Sequence, residues 1–135
     1  MPHKARCQCG GLTATIEGDE GFVVACNCQA CQHRSGSPFG AAGYFLKSAV
    51  TIKGDEQTWT RGTDAGRELT NHFCPTCGTT LYWHFDMRPD HFGIALGCFV
   101  TKLPEPVRAI WTEQKHDWVT FPEHWDQYPQ MTPET

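Results

Sequence analysis

A mainly β domain with little helix is what this sequence predicts, on three observations. Gly 13 and Pro 9 stand beside only 19% charged residues, a composition of many turns and short extended segments. Leu12, Ala14 and Ile16 alternate with Thr13, Thr15 and Glu17, the period-two pattern of a strand with one buried face. Clusters of Gly and Asp separate most of the remaining apolar stretches.

Taken in order, the alternating segment around Leu12–Ile16 is the first strand, and Gly18-Asp19-Glu20-Gly21 turns the chain after it. Further strands are predicted over Phe22–Ala25, Phe39–Phe45, Val50–Lys53, Gln57–Thr60, Glu68–Phe73, Leu81–Phe85, Phe92–Leu96 and Arg108–Trp111, each enriched in β-branched or aromatic residues. Helical pattern is confined to one or two turns over Gln29–Arg34, and Thr101–Pro104 reads as a short polar connection. Beyond Trp118 come Pro122, Glu123, His124, Pro129 and Pro133. The expected division is therefore a domain over residues 1–120 and an irregular arm over 121–135 lying on it. With 135 residues and 39% hydrophobic content the chain has material for one core.

The formal net charge is −4, and the eleven Lys and Arg residues form no run that would track a phosphate backbone, so nucleic acid is not an expected partner. Met1-Pro2-His3-Lys4-Ala5-Arg6 leads into no apolar export segment, and no stretch of eighteen apolar residues occurs. A cytoplasmic protein without membrane association is the expectation. There, eight cysteines would be kept reduced, which favours metal ligation or catalysis over disulfides.

Seven of the eight fall in three clusters: Cys7-Gln8-Cys9-Gly10-Gly11, Cys26-Asn27-Cys28-Gln29-Ala30-Cys31 and Cys74-Pro75-Thr76-Cys77-Gly78. A structural zinc takes four thiolate or imidazole ligands at roughly 2.3 Å, which sets sulfurs roughly 3.8 Å apart. Cys7 and Cys9 would lie about 6.6 Å apart along a regular strand, so they can share an ion only where the chain bends, as Gly10 and Gly11 permit. Pro75 and Gly78 shape the third cluster as a tight knuckle. Two pairs make a closed four-cysteine site, and the central cluster supplies three thiolates, the protein ligand count of a site with an open position. Spacing alone leaves the partition open, since Cys28 and Cys31 with Cys74 and Cys77 would also make a four-thiolate site. Cys98, within Ile94-Ala95-Leu96-Gly97-Cys98-Phe99, reads as a packed thiol. His33, His84, His91, His116 and His124 lack paired ligand spacing, and Trp59, Trp83, Trp111 and Trp118 read as core or inter-sheet plugs.

The three clusters in this order, with Ser35-Gly36-Ser37-Pro38-Phe39 after the second and Phe73 before the third, resemble the glutathione-dependent formaldehyde-activating enzyme family, whose domain is shared with centromere protein V. Ile110-Trp111-Thr112-Glu113, Trp118 and Tyr128-Pro129 are similar to that family's aromatic ending, so the resemblance runs from about His3 to Pro129. It implies a β-tent of short antiparallel sheets stabilised by zinc. It also implies two Zn²⁺ per chain, a structural ion on Cys7, Cys9, Cys74 and Cys77 and a catalytic one on Cys26, Cys28 and Cys31. The implied reaction condenses glutathione with formaldehyde to an S-hydroxymethyl adduct, classed in reverse as a carbon–sulfur lyase. Family members often carry His where this chain has Asn27, and a basic residue where it has Asn71.

Three thiolates around Zn²⁺ leave a formal charge of about −1, a weak Lewis acid better suited to holding a thiol than to polarising an aldehyde. Asn27, Gln32, His33, Arg34 and Ser35 are near enough in sequence to serve the alkoxide formed on addition. Arg34, Lys47, Arg61 and Arg67 are candidates for the carboxylates of a glutathione-like thiol. The competing readings are a non-catalytic zinc-stabilised binding module and a redox-sensitive zinc-thiolate protein.

Overall fold

The computed structural model describes residues 2–63 and 66–132. Met1 and residues 133–135, which entered the readings of the two chain ends, lie outside the described residues. Eleven strands and one short α-helix are present among those described: β1 His3–Arg6, β2 Thr13–Ile16, β3 Phe22–Cys26, α1 Gln29–Ser35, β4 Gly40–Leu46, β5 Val50–Lys53, β6 Gln57–Gly62, β7 Glu68–Phe73, β8 Thr80–Phe85, β9 His91–Ala95, β10 Arg108–Ile110 and β11 Asp126–Gln127. The mainly β class is therefore correct, and each predicted strand corresponds to an observed one within about two residues at its ends. β1 and β11 were not predicted: His3–Arg6 carries too few apolar residues to show a period, and β11 is two residues long.

A three-stranded antiparallel sheet, β1-β2-β5, faces an eight-stranded sheet of order β11-β10-β3-β4-β9-β8-β7-β6. The alternation read from sequence sets the first sheet's inner face: Leu12, Ala14 and Ile16 are all buried, and so is Ala5 opposite Ala14. Phe45, Leu81, Tyr82 and Ile94 meet them from the large sheet. Fully burying Phe45, Leu12, Ile16, Leu81 or Ile94 contributes about 1.5–3 kcal/mol each, so this inter-sheet layer is the main apolar source of stability.

The large sheet departs from the antiparallel expectation at one edge. β10 runs parallel to β3, with Ile110 opposite Cys26, and parallel to β11. A parallel pair needs a long crossover, and here the chain between Cys26 and Arg108 makes it, returning β10 beside the central cysteine cluster. The segment beyond residue 120 is attached through the same edge: Tyr128 N donates to Ala109 O at 3.0 Å and Trp111 N to Gln130 O at 3.0 Å. Asp126–Gln127 is thus sheet rather than irregular chain.

Candidate metal centres and cavity

Cys7 follows the last residue of β1, and Gly10, at φ 83°, turns the chain back so that Cys7 Sγ and Cys9 Sγ lie 3.7 Å apart. Cys74 and Cys77 occupy the tight turn from β7 to β8. There Gly78, at φ 79°, lets its N–H donate to Cys74 O at 2.9 Å. The glycine amide therefore fixes the turn rather than the sulfur. Leu12 N donates to Cys7 Sγ at 3.2 Å and Gly11 N to Cys9 Sγ at 3.4 Å, and Thr79 Oγ1 sits 3.3 Å from Cys77 Sγ. With Cys9 Sγ and Cys74 Sγ 3.6 Å apart, all four sulfurs lie within 4.8 Å of one another. Those separations fit a tetrahedral ion with four sulfur ligands at roughly 2.3 Å.

The second group is local in sequence. Cys26 ends β3 and Cys28 is the N-cap of α1, its sulfur accepting from Cys31 N at 3.4 Å. Cys31 lies in the first turn of α1, and the three sulfurs fall within 4.8 Å of one another, Cys26 and Cys28 at 3.4 Å. This set also fits a metal ion, with three protein donors where the other has four. The alternative pairing of Cys28 and Cys31 with Cys74 and Cys77 is not formed, and Cys98 belongs to neither group but packs against the core. Hydrogen bonds from the Cys26 and Cys31 thiols, and the positive charge of Arg61, hold the Cys28 thiol well below the usual thiol range. The proton is correspondingly hard to remove from Cys26.

Asn27 pins this turn to β10. It is fully buried, and both its backbone N–H and its Nδ2 donate to Ile110 O at 3.0 Å. Gln32 adds a second tie, Nε2 donating to Asn27 O at 2.8 Å and to Gln114 O at 3.1 Å. Trp111, directly after β10, is the only non-glycine residue at positive φ among those described, at 56°. A bulky side chain in that region costs about 1–2 kcal/mol, and the bend it makes brings Gln114 to α1, where Oε1 accepts from Gln29 N at 2.8 Å.

The three-cysteine group opens into a cavity of about 310 Å³. Leu69 and Asn71 of β7, Trp83 and Phe85 of β8 and Tyr44 of β4 supply one wall, as alternate residues sharing a sheet face. Ile110, Trp111, Gln114, Met87 and Met131 supply the other, and Arg34, Arg61 and Arg67 line it as well. Arg34 lies 4.1 Å over the Trp83 ring, and Gly40 makes room for it: a Cβ there would sit 2.6 Å from Arg34 Nη2 and 3.2 Å from Cys31 Cβ. Trp83 Nε1 donates to Tyr44 OH at 3.4 Å, and burial pushes the Tyr44 phenol up, so it stays protonated.

Several sequence readings need correction. Lys47 lies over the Phe92 ring, not in the cavity. Of the candidates for the alkoxide only Arg34 lines the cavity: Asn27 and Gln32 are committed to backbone carbonyls, His33 is exposed, and Ser35 Oγ donates to Cys31 O. Trp59 and Trp118 are exposed, not plugs, while Trp83 and Trp111 are cavity walls. Sequence reasoning missed Tyr44, Gln114 and the cavity role of Asn71. The alternation of β7 against β8 carried a signal for Asn71, since it pairs with Trp83. No local signal marked Gln114. The histidines have hydrogen-bond partners in the cases of His84, His91, His116 and His124.

Fold and site together define a small mainly β protein with two cysteine groups of metal-binding geometry, one closed by four sulfurs and one at a cavity. Residues 2–114 match the family described as glutathione-dependent formaldehyde-activating enzyme, and the chain belongs to that family. Membership assigns it to glutathione-dependent formaldehyde activation or a related function in general terms. A crystal structure of a Rhodobacter sphaeroides protein from a structural-genomics programme shares the fold, with a TM-score of 0.59 at 21% identity, covering 75% of this chain and 91% of that one. No curated protein matches the sequence. Among the described residues no helix is long and apolar enough to cross a membrane.

Proposed function

We propose that the chain is a zinc-dependent enzyme that adds a thiol, glutathione or a relative of it, to formaldehyde or another small aldehyde. In this reading Cys7, Cys9, Cys74 and Cys77 hold a structural zinc, and Cys26, Cys28 and Cys31 hold the catalytic one. The observation that carries it is the contrast between the groups: four sulfurs at the first, and three at the second, which line a cavity. A Zn²⁺ ion held by three cysteines supplies a free position that favours the thiolate form of a bound thiol. In the reaction a C–S bond forms, the carbonyl π bond breaks, and the thiol's proton ends on the former carbonyl oxygen.

The chain's own residues supply orientation and charge. The cavity walls hold sulfur and aldehyde together, making the addition effectively unimolecular. Arg34, beside Cys31 and fixed over Trp83, offers donors to the developing alkoxide, and Gln114, which lines the same cavity with its Oε1 engaged by Gln29 N, has an amide Nε2 to offer as well. The reading includes a reducing, cytoplasmic setting, which suits eight cysteines without a disulfide.

Zinc stoichiometry in the wild type and in Cys28→Ser and Cys7→Ser variants tests it, with circular dichroism and glutathione titration alongside. Two zincs per chain are expected, with Cys28→Ser losing one, staying folded and losing thiol binding. One zinc in the wild type, or collapse of both variants, would overturn the catalytic assignment.

A further inference from the structure

Asn71 is a buried polar residue whose side-chain carbonyl has nothing to bind within the fold. It stands in the middle of β7, 8% exposed, and lines the cavity. Its cross-strand partners are both tryptophans, Trp59 on β6 and Trp83 on β8. The Trp83 indole N–H is given to Tyr44 OH, and Trp59 is exposed. Asn71 Oδ1 is left closed off from solvent with no hydrogen-bond partner among the described residues. A buried acceptor without a partner destabilises a fold, and asparagine is itself a poor strand former. Asn27 makes the contrast: its Oδ1 is also unpartnered, but its Nδ2 is bonded to Ile110 O, and it is not one of the cavity walls.

The chemistry of the carboxamide narrows what can complete it. Oδ1 requires a donor, and the soft torsion about the Asn Cβ–Cγ bond lets it turn toward the cavity. An aldehyde or a carboxylate has no proton to give. A hydroxyl has one, but its single oxygen must then serve every other donor as well. A secondary amide gives its N–H to Oδ1 and presents its carbonyl on the opposite edge, and the cavity holds the donor-only guanidinium groups of Arg34, Arg61 and Arg67. Its flat body also fits a wall built from Trp83 and Phe85. Building on the reading that a thiol binds at Cys26, Cys28 and Cys31, we propose that Asn71 is a specificity-determining residue, its carboxamide pairing with an uncharged amide carried by that thiol. The ligand then completes the acceptor that the fold leaves open.

Calorimetric titration of the zinc-loaded full chain with the N-methylamides and the methyl esters of 3-mercaptopropionate and 6-mercaptohexanoate tests this. Neither kind of probe is charged away from its sulfur, so the arginines and thiolates of the cavity do not choose between them. For at least one chain length the amide should bind about tenfold or more tighter than its ester. In Asn71→Val, close in size and without polar side-chain atoms, that preference should fall below about threefold with ester binding unchanged. At fixed free zinc the same variant should melt at or above the wild type, because an unpaired acceptor has been removed and a strand former put in its place. Equal binding of amide and ester by the wild type, or a preference that survives in Asn71→Val, would overturn the inference while leaving a thiol site in place. Melting of Asn71→Val more than about 5 °C below the wild type would assign Asn71 to the fold instead. Binding of no thiol at all would overturn both the inference and the thiol-addition reading.

Discussion

Gly54, immediately after β5, offers a test of how the small sheet holds the four-cysteine group. Its φ is 109°, and a Cβ placed on it would lie 1.9 Å from Gly11 O, 2.9 Å from Gly11 C and 3.0 Å from Leu12 Cα. These are backbone atoms, which cannot rotate aside, so Gly54→Ala must push the chain at Gly11–Leu12 by an ångström or more. That segment is where Gly11 N and Leu12 N donate to Cys9 Sγ and Cys7 Sγ. Strain at positive φ costs about 1–2 kcal/mol and overpacking about 1–3 kcal/mol, giving an expected loss of about 2–5 kcal/mol. Gly18 is the control: its φ is 71°, but a Cβ there meets nothing within 4 Å, so Gly18→Ala should cost only about 1 kcal/mol. For a domain of this size 1 kcal/mol moves Tm by about 3–5 °C, so Gly54→Ala should melt about 6–25 °C below the wild type and Gly18→Ala about 3–5 °C below. Both melts must be run at one fixed free zinc concentration, because bound metal stabilises the folded state by mass action. Melting of Gly54→Ala within about 3 °C of Gly18→Ala, with zinc content unchanged, would refute the claim that this close approach orders the Cys7–Leu12 turn.

Asn27→Ala removes the Nδ2–Ile110 O bond and leaves that carbonyl with only the Asn27 backbone N–H, so a loss of about 1–3 kcal/mol and depletion of the metal held by Cys26, Cys28 and Cys31 are expected. Full retention of both metals on competition with a chelator would count against the pinning role. Gly93→Ala places a Cβ 2.4 Å from Trp83 Nε1 and 2.8 Å from Tyr44 Cε1, so it should shift the Trp83 ring, alter near-ultraviolet dichroism and cost about 1–3 kcal/mol. An unchanged aromatic spectrum would contradict it. Burial, together with the charges of His72 and Lys47, lowers the His84 pKa below its usual 6.5. The folded state then binds fewer protons than the unfolded one between the two pKa values. This group's stability is complete above the unfolded pKa and declines as pH drops toward the folded one. An imidazole proton resonance of His84 titrating with a midpoint at or above 6.5 would show the sign to be wrong.

What the sequence made legible follows the range over which each feature is determined. β5 and β7 have local causes and are readable to the residue: Val50, Thr51 and Ile52 run up to the Gly54 turn, and β7 ends at the Cys74-Pro75 turn. The cysteine clusters were readable because chelating pairs sit within two or three positions of each other, but their partition required knowing that the chain end after β1 meets the β7–β8 turn. The parallel pairing of β10 with β3 was not readable: register between strands 84 positions apart, as at Ile110 and Cys26, leaves no periodic trace in either. Gln114 and Trp111 enter the site only through that pairing and the positive φ at Trp111, and so were invisible until it was known. Lys47 is misplaced for the converse reason: charge alone makes it a candidate, and its position in the turn just after β4 sets it over the Phe92 ring instead.

The two cysteine groups differ in what a metal ion would do for the chain. Cys26, Cys28 and Cys31 span six residues, already closed by β3, the N-cap of α1 and the Asn27–Ile110 bonds, so an ion there fixes little chain that is not already fixed. Cys9 and Cys74 are 65 positions apart, in turns between strands of different sheets, so an ion there would close a long loop, and loop-closure entropy grows only logarithmically with length while the cross-link would span half the molecule. The four-sulfur group would leave an ion no free position and would tie the β1–β2 hairpin to the β7–β8 turn. The three-sulfur group contributes little to folding and sits against the cavity. On the proposed zinc assignment, the second group can stay incomplete, because the fold would not depend on closing it.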